Sequence, residues 1–564
     1  MPVGLRREGP AFLGAFASLF GLYWLFGFPI YNNAAWLDPW YYTGLWINYH
    51  FLRVAHHSAY YVTRIPWIAP GRIVFAIFSP TTAYLVIHVL VALLTTGCLY
   101  LLLRKYLAQG AALAGVLAAA LDPLAYHASY RDYVVSGEIA FVIAAMYFGL
   151  AARGGMRPRL AMAGAGFFIA AAFSTHFFSA LFCALLIAPY LFLFRPSRTE
   201  LLRDLGAVAA GAFVLFAGCT VYSLADGGPF VYLGPALKTT ADLSLGQYHR
   251  NGFSWMLAEP RLLAPIFLLV VLGALLVGAY REGERHLPPV RFGSAIWLYS
   301  ALVWLVVTAW ELRGGIIYEN VDYTEPFVLT TVVPCLAAII GLAARRVERR
   351  LSWTTVPLVV GAAAAATPLA VYRFNWMSLA GRRGTLASLV LMAIGLLLVA
   401  ALLRRKGGVA LAAAVLVAVT LATSYAVSVS KLTLSAMAYD SRMNRLDTNV
   451  FHISIDFVRW MRSSNLQTND MVGWYDLKTM PWGNAVASMY FFGWWLQGTN
   501  MPRIDANFRH QWAIRKPGEI VLMCARPDCE GAEAALRRHG YPARAVAQHT
   551  FTSGSTRMWV RVLR

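Results

Sequence analysis

Stretches of about 17–25 apolar residues recur along the first 430 positions of this 564-residue chain. A helix rises 1.5 Å per residue, so a stretch of that length crosses a hydrocarbon core about 30 Å thick. Lipid offers no partner to backbone N–H and C=O groups, so each such stretch must satisfy its own hydrogen bonds and be helical. Composition agrees. Hydrophobic residues make up 59% of the chain, charged residues 13%, and the mean hydropathy is +0.56, whereas a soluble domain carries about 25% charge. The pattern predicts an all-α polytopic membrane protein.

Thirteen spans are expected, at about 11–30, 81–103, 109–125, 133–152, 160–174, 177–194, 205–224, 262–280, 292–310, 327–344, 354–372, 385–403 and 409–427. The first is rich in Phe, Trp and Tyr and has no small-residue cleavage site after it, so it reads as a retained span rather than a signal peptide. The fifth and sixth are short and hinge at Ser174-Thr175-His176, as a partly inserted pair would. With this count one side collects Arg6-Arg7, Arg104-Lys105, Arg153 with Arg157 and Arg159, Arg195 with Arg198, Arg281 with Arg285, Arg345-Arg346 with Arg349-Arg350, and Arg404-Arg405-Lys406. Short loops rich in Lys and Arg mark the cytoplasmic side, which places the N-terminus there. Much of the formal net charge of +21 is then an orientation signal that meets anionic membrane lipids, and no nucleic-acid partner is implied. Arginine outnumbers lysine 42 to 6 and alanine is abundant, which points to a GC-rich bacterial genome and an inner (plasma) membrane.

The other face takes the irregular material: residues 31–80, 225–261 and 313–326, and the tail. Loops longer than about 15 residues are usually functional when ordered, so the work of the protein is expected on this face. The chain accordingly divides into a transmembrane domain, 1–430, with an extracytoplasmic first loop at 31–80, and a periplasmic α/β domain, 431–564, long enough to bury its own core. In the tail, Asn449–Ser463 has helical spacing, and Met471–Tyr475 and Glu519–Cys524 read as strands. Cys529–His539 reads as a helix ended by Gly540, and Ala543–Phe551 with Thr556–Leu563 as a hairpin about Thr552-Ser553-Gly554-Ser555. Cys98, Cys183, Cys219 and Cys335 lie in spans as packing residues, while Cys524 and Cys529 are near enough in sequence for a disulfide in an oxidising compartment.

Asp38 stands at the water–lipid boundary just beyond the first span, at the head of Asp38-Pro39-Trp40-Tyr41-Tyr42. Asp before Pro is a helix-start signal, yet a capping carboxylate can also face a cavity, and Tyr41 and Tyr42 stand ready beside it for a substrate. Arg64 and Arg72, in and after Tyr60-Tyr61-Val62-Thr63-Arg64-Ile65-Pro66-Trp67, lie on the outer side against the charge bias. Two readings compete for them, snorkelling arginines in an aromatic belt and guanidinium forks for a lipid phosphate. The next outer connection holds His127, Arg131, Asp132 and Glu138. Arg131 and Glu138 are seven apart on one helical face, so an ion pair between them would account for a carboxylate inside the fourth span. Asp132 has no such partner in its own segment, and an ionisable group at membrane depth is a functional candidate. Glu319, Asp322 and Glu325 could hold a cation or an amino-bearing substrate, or form a solvated face. His176, His249, Arg250 and Lys238 stand alone and read as structural groups.

Taken together, Asp38-Pro39-Trp40-Tyr41-Tyr42-Thr43-Gly44, Thr63-Arg64-Ile65-Pro66-Trp67 and Tyr130-Arg131-Asp132-Tyr133 resemble the GT-C class of glycosyltransferases. Within it they are most similar to the protein O-mannosyltransferase and aminoarabinose-transferase superfamily, glycosyltransferase family 39 and relatives. The likeness is good over about residues 10–200 and architectural beyond. It implies that Asp38 is the general base, that Asp132 shapes the acceptor or metal site, and that outer basic residues such as Arg64 bind the donor's phosphate. The chain departs from the family where Pro39 follows the aspartate, where many members have Glu. It departs again at Thr63-Arg64-Ile65-Pro66, which lacks the metal-holding Glu of the aminoarabinose transferases.

The chemistry that follows is transfer of a sugar from a polyprenyl-phosphate donor to an envelope acceptor, with inversion. Asp38 would take the proton of the acceptor hydroxyl. Arg64, Arg72, Arg131 and Arg250 are the cations available to the departing phosphate. A carboxylate base needs no cofactor, so a divalent cation is optional. The rivals are a transporter or flippase of envelope lipids, which predicts Gly/Pro-broken segments at matching positions of two halves, and an acyl- or phospho-group envelope transferase, for which His127 and Asp132 offer a weak pair.

Overall fold

The structure, a computed structural model, describes residues 13, 16, 42–47, 49–50, 53, 60–120, 134–151, 157–244, 263–311, 330–342, parts of 449–464, 471–475, 503–504, 519–524, 532–538, 540 and 544–564. Residues 42–47 are helical, and a 3-10 turn at Tyr60–Thr63 leads into α1, Ile65–Ile77. Then follow α2, Pro80–Tyr106; α3, Gln109–Ala120; α4, Val134–Ala151; and α5, Pro158–Thr175. After the hinge come α6, Ser179–Ala184; α7, Ile187–Phe194; α8, Arg198–Ala225; and α9, Gly234–Ser244. The series continues with α10, Leu263–Arg281; α11, Pro288–Glu311; and α12, Thr330–Leu342. Among the described residues, α2, α4, α8 and Pro288–Trp310 of α11 are long and apolar enough to cross a membrane. Each expected span from 81–103 to 327–344 meets a helix. The spans at 354–372, 385–403 and 409–427 lie outside the described residues, and 11–30 is described only at 13 and 16.

Local sequence sets where these helices begin. Proline opens α1, α2, α5 and α11, where its missing N–H has no helical partner to lose. At α8 the Glu200 N–H donates to Ser197 Oγ at 3.3 Å and the Ser197 N–H to Glu200 Oε2 at 2.9 Å, a capping box. The expected hinge is present: His176 takes an extended backbone and ends α5, and the chain returns as the two short helices α6 and α7.

α5 and α8 cross backbone to backbone. A Cβ on Gly166 would lie 1.9 Å from the Val208 carbonyl oxygen, and one on Gly211 1.8 Å from that of Ala163. Small residues permit this approach in lipid, where packing rather than hydrophobic burial drives association. At one end of the bundle Tyr106 stacks on Phe292 with centroids 4.7 Å apart, its hydroxyl donates to the Leu150 carbonyl, and Arg291 donates to that of Leu193. That end carries Arg104, Arg157 and Arg195. The first loop packs at the opposite end, against the start of α4 and the ends of α5 and α8.

The tail contributes β1, Met471–Tyr475; β2, Arg503–Ile504; β3, Ile520–Cys524; α13, Ala532–Arg538; β4, Ala545–Ser553; and β5, Thr556–Leu563. The sheet order is β2-β1-β3-β5-β4, with β1 parallel to both of its neighbours and β3–β5 and β5–β4 antiparallel. Every residue of the apolar β3 is buried, as a strand covered on both faces requires. Ser553 pairs with Thr556 across a two-residue turn in which Gly554 has φ 54°, a backbone that glycine adopts without strain. Cys524 is disulfide-bonded. Cys529, the partner expected from sequence, lies outside the described residues.

Candidate active site

Arg64 is fixed from both sides along the chain. Its N–H donates to the Tyr61 carbonyl at 3.3 Å, while its own carbonyl accepts from the N–H groups of Trp67 and Ile68, each at 3.0 Å. Its side chain lies among three tyrosines. The guanidinium carbon lies 4.8 Å from the Tyr60 ring centre, 5.7 Å from that of Tyr42 and 5.9 Å from that of Tyr61, and Nη1 donates to the Tyr42 hydroxyl. Only 6% of Arg64 is exposed. A desolvated guanidinium over aromatic faces gains about 2 kcal/mol, and its fork is held in one orientation.

The walls of this cage are anchored by tryptophan on glycine. Trp46 lies over Gly71 and Trp67 over Gly137, where a Cβ would come within 2.2 Å and 2.6 Å of the indoles. The two tryptophans meet edge to face at 5.6 Å, and Trp46 meets Tyr84 at 5.8 Å. Gly137 thus ties α1 to the first turn of α4. α9 packs over the Tyr60–Thr63 turn, and Tyr232, just before it, reaches Ser174 of the hinge at 3.0 Å.

Arg72 belongs to a second cluster, where the first loop meets the far end of α8. Its Nη1 donates to the Tyr222 hydroxyl at 2.9 Å and to Asp226 Oδ2 at 3.0 Å, with His50 Nδ1 3.6 Å from the other carboxylate oxygen. Burial works against the charge of Arg72, but the Tyr222 hydroxyl and the Asp226 carboxylate outweigh it and raise its pKa above the ordinary guanidinium value. Arg53 joins them. It is 4% exposed and shares the Tyr49 ring with Arg72, at 5.8 Å and 5.6 Å from the ring centre. Its guanidinium donates to the Ser223 carbonyl and, at 3.0 Å, to Ser223 Oγ. Gly228 makes room for it, since a Cβ there would fall 0.6 Å from Arg53 Nη2. Sequence reasoning passed over Arg53. The signal was available, as it is a further arginine in the first loop, where the expected charge bias disfavours one.

Glu138 is fully buried in α4. Its Oε2 lies 2.9 Å from Nδ1 of the 5%-exposed His176, and Ser179 Oγ donates to its Oε1. Arg131, the partner expected from spacing, lies outside the described residues, among which the Glu138 carboxylate is held by the α5–α6 hinge. His176, expected to stand alone, is its partner.

Of the residues expected at the site, Tyr42 and Arg64 are in direct contact, while Arg72 is engaged by Tyr222 and Asp226. Asp38, Tyr41, Arg131, Asp132, Arg250, Glu319 and Asp322 lie outside the described residues. Among the described residues no three His, Cys, Asp or Glu side chains converge on a point that could hold a metal ion.

Residues 63–223 match the family model of dolichyl-phosphate-mannose-protein mannosyltransferases. The match bears out the resemblance read from the sequence, and it contains Arg64, Arg72, Asp132, Glu138 and His176. The chain is also similar to ArnT from Cupriavidus metallidurans in the apo state (TM-score 0.45, 15% identity, 92% of this chain and 92% of that one). A further similar structure is that ArnT bound to undecaprenyl phosphate (TM-score 0.44, 13% identity, 88% of this chain and 86% of that one). The apo oligosaccharyltransferase of Archaeoglobus fulgidus has a TM-score of 0.41 at 15% identity, over 88% of this chain and 64% of that one. At these values no residue is carried from one protein to another. No curated protein sequence matches the chain.

Proposed function

We propose that the chain is a membrane glycosyltransferase that moves a sugar, with inversion, from a polyprenyl-phosphate donor to an envelope acceptor at the outer face of a bacterial inner membrane. The observation that carries this reading is the family match over 63–223, a family whose description names a dolichyl-phosphate-linked sugar. The match opens on the Arg64 cage. In the proposed reaction the acceptor hydroxyl attacks the anomeric carbon and Asp38 takes its proton. The bond from that carbon to the phosphate oxygen breaks, and the phosphate leaves on its polyprenyl chain. Arg64 meets the new charge already desolvated and oriented, which is how a fixed cation stabilises a transition state without reorganising. Arg72 would exchange Asp226 for the phosphate, and Arg131 and Arg250 would complete the set. Tyr41 and Tyr42 line the sugar side, Asp132 shapes the acceptor side, and Glu319 and Asp322 receive an amino group or an optional divalent cation. The same reading keeps thirteen spans, a cytoplasmic N-terminus and an outer α/β domain at 431–564.

The test is Asp38→Asn, assayed with a purified polyprenyl-phosphate sugar. Asn caps a helix about as well as Asp, so expression and melting temperature should hold while turnover falls by about 10²–10⁴. Near-parental turnover in the Asn variant would make Asp38 a cap and reject the mechanism.

A further inference from the structure

A second feature lies away from the arginine cages, toward the end of the bundle that carries the basic loops. A cavity of about 450 Å³ opens between α4, α5, α6–α7 and α8. It runs from Leu150, Met162 and Leu201 near that end to Phe173 and Phe216 near the hinge, and its walls are otherwise almost wholly aliphatic or aromatic. Asp204 is its one acidic group, and its carboxylate accepts from the Tyr190 hydroxyl, so the crevice keeps one polar point at its basic end. On α5 and α8 Leu160, Leu202, Phe213 and Val214 are exposed, and only 17% of the most apolar window of α8 is buried. An apolar opening in an apolar surface at membrane depth is reached from the bilayer, not from water.

Its basic rim says what kind of lipid. On α5 the lining stripe Met162, Ala165, Ile169, Phe173 continues one turn back to Arg159. On α8 the stripe Leu201, Leu205, Val208, Ala212, Phe216 continues to Arg198. Both arginines are exposed, and both stand in the first turn of their helices; at α5 no side chain caps the first N–H groups, which also favour an anion, whereas at α8 the Ser197–Glu200 capping box takes that place and leaves Arg198 as the cation. We infer that this crevice is a binding site for an anionic phospholipid of the leaflet facing the basic loops, one acyl chain lying in the cavity that α4, α5, α6–α7 and α8 enclose and the phosphate between Arg159 and Arg198. The site is separate from the proposed donor site and does not depend on that reading.

The test uses the purified full chain, stripped of lipid in a neutral detergent. Phosphatidylglycerol and phosphatidylcholine with identical chains are titrated in, with melting temperature and lipid retention by native mass spectrometry as readouts. The expected result is a saturable rise in melting temperature with phosphatidylglycerol at a concentration at least tenfold lower than with phosphatidylcholine. Arg159→Gln/Arg198→Gln should abolish that preference while leaving the lipid-free melting temperature close to the parent. Ala212→Trp, which fills the crevice, should remove the retained lipid. Should the tryptophan variant fail to fold, the charge variant decides alone. Equal effects of the two lipids, an unchanged preference in the charge variant, or retention of a polyprenyl phosphate that phosphatidylglycerol does not displace would each overturn the inference.

Discussion

Glu138 and His176 offer the sharpest test of how the bundle holds the end that packs against the first loop. Both are at least nine-tenths buried, and Glu138 keeps only His176 and Ser179 as partners among the interactions described above. Removing one member of a buried pair commonly costs about 3–5 kcal/mol, because the survivor is left without compensation. His176→Ala should therefore destabilise by about that amount. Glu138→Gln is nearly isosteric and still accepts from Ser179, so it loses only the excess strength of a charged hydrogen bond, about 1–1.5 kcal/mol. In the double variant His176→Ala no longer strands a charge, so the combined loss should fall short of the sum by at least about 1 kcal/mol. Reversible unfolding in mixed micelles, followed by tryptophan fluorescence, measures all three. The functional side is separable. α4 starts at Val134, two residues after Asp132, so loosening Glu138 from the hinge should lower kcat more than it raises donor KM. Strict additivity of the two substitutions would refute the pairing, whatever their single effects.

Three further outcomes are expected. Gly166→Ala and Gly211→Ala must each push α5 and α8 apart, costing about 1–3 kcal/mol by overpacking, and the pair should cost less than the sum because one separation relieves both; equal or raised stability by the same unfolding assay would contradict the close crossing. Gly228→Ala should expel the Arg53 guanidinium from Ser223 and speed hydrogen exchange in residues 49–63, leaving α5–α8 unchanged. Arg64→Ala should lose stability as well as donor affinity, because the side chain is buried among three rings, whereas Arg64→Lys should keep most of the stability and recover only part of the donor affinity, since a point charge cannot reproduce the fork; full donor affinity in both would return Arg64 to a structural role.

The helices at the expected spans from 81–103 to 327–344 were legible because length and apolarity are local properties, and lipid leaves helix as the one way to satisfy the backbone. The hinge at 174–176 was legible for the same reason, as two short runs cannot each cross. The partner of Glu138 was not. Spacing pointed to Arg131, which lies outside the described residues; the contact with His176 forms only once α5 has crossed and turned back beside α4, and no local periodicity carries it. Burial of Arg64 was illegible in the same way. Its neighbours Tyr60 and Tyr61 are adjacent in sequence, but the third ring, Tyr42, comes from another part of the loop. Gly166 and Gly211 look like flaws in alanine-rich helices until the two are seen to face each other's backbone. In the tail the strands at Met471–Tyr475 and Ile520–Cys524 stood out because their apolar runs are short and bounded, whereas the parallel pairing of β1 with β2 and β3 could not be foreseen.

The two arginine clusters of the first loop solve different problems. Arg64 is desolvated among aromatic faces, which lower the cost of burying its charge. Arg72 is neutralised by Asp226, and any anion that takes its guanidinium must displace a carboxylate already held at 3.0 Å. A phosphate binding to both would therefore break the tie between the first loop and the end of α8 as it forms its own contacts. Part of the binding energy would go into releasing that loop. On the proposed reading, arrival of the donor would be coupled to freedom of the segment that contains Arg53, Arg64 and Arg72. Asp226→Asn, which keeps the shape but not the charge, should accordingly tighten donor binding rather than weaken it, and a loss of donor affinity in that variant would place the phosphate away from Arg72.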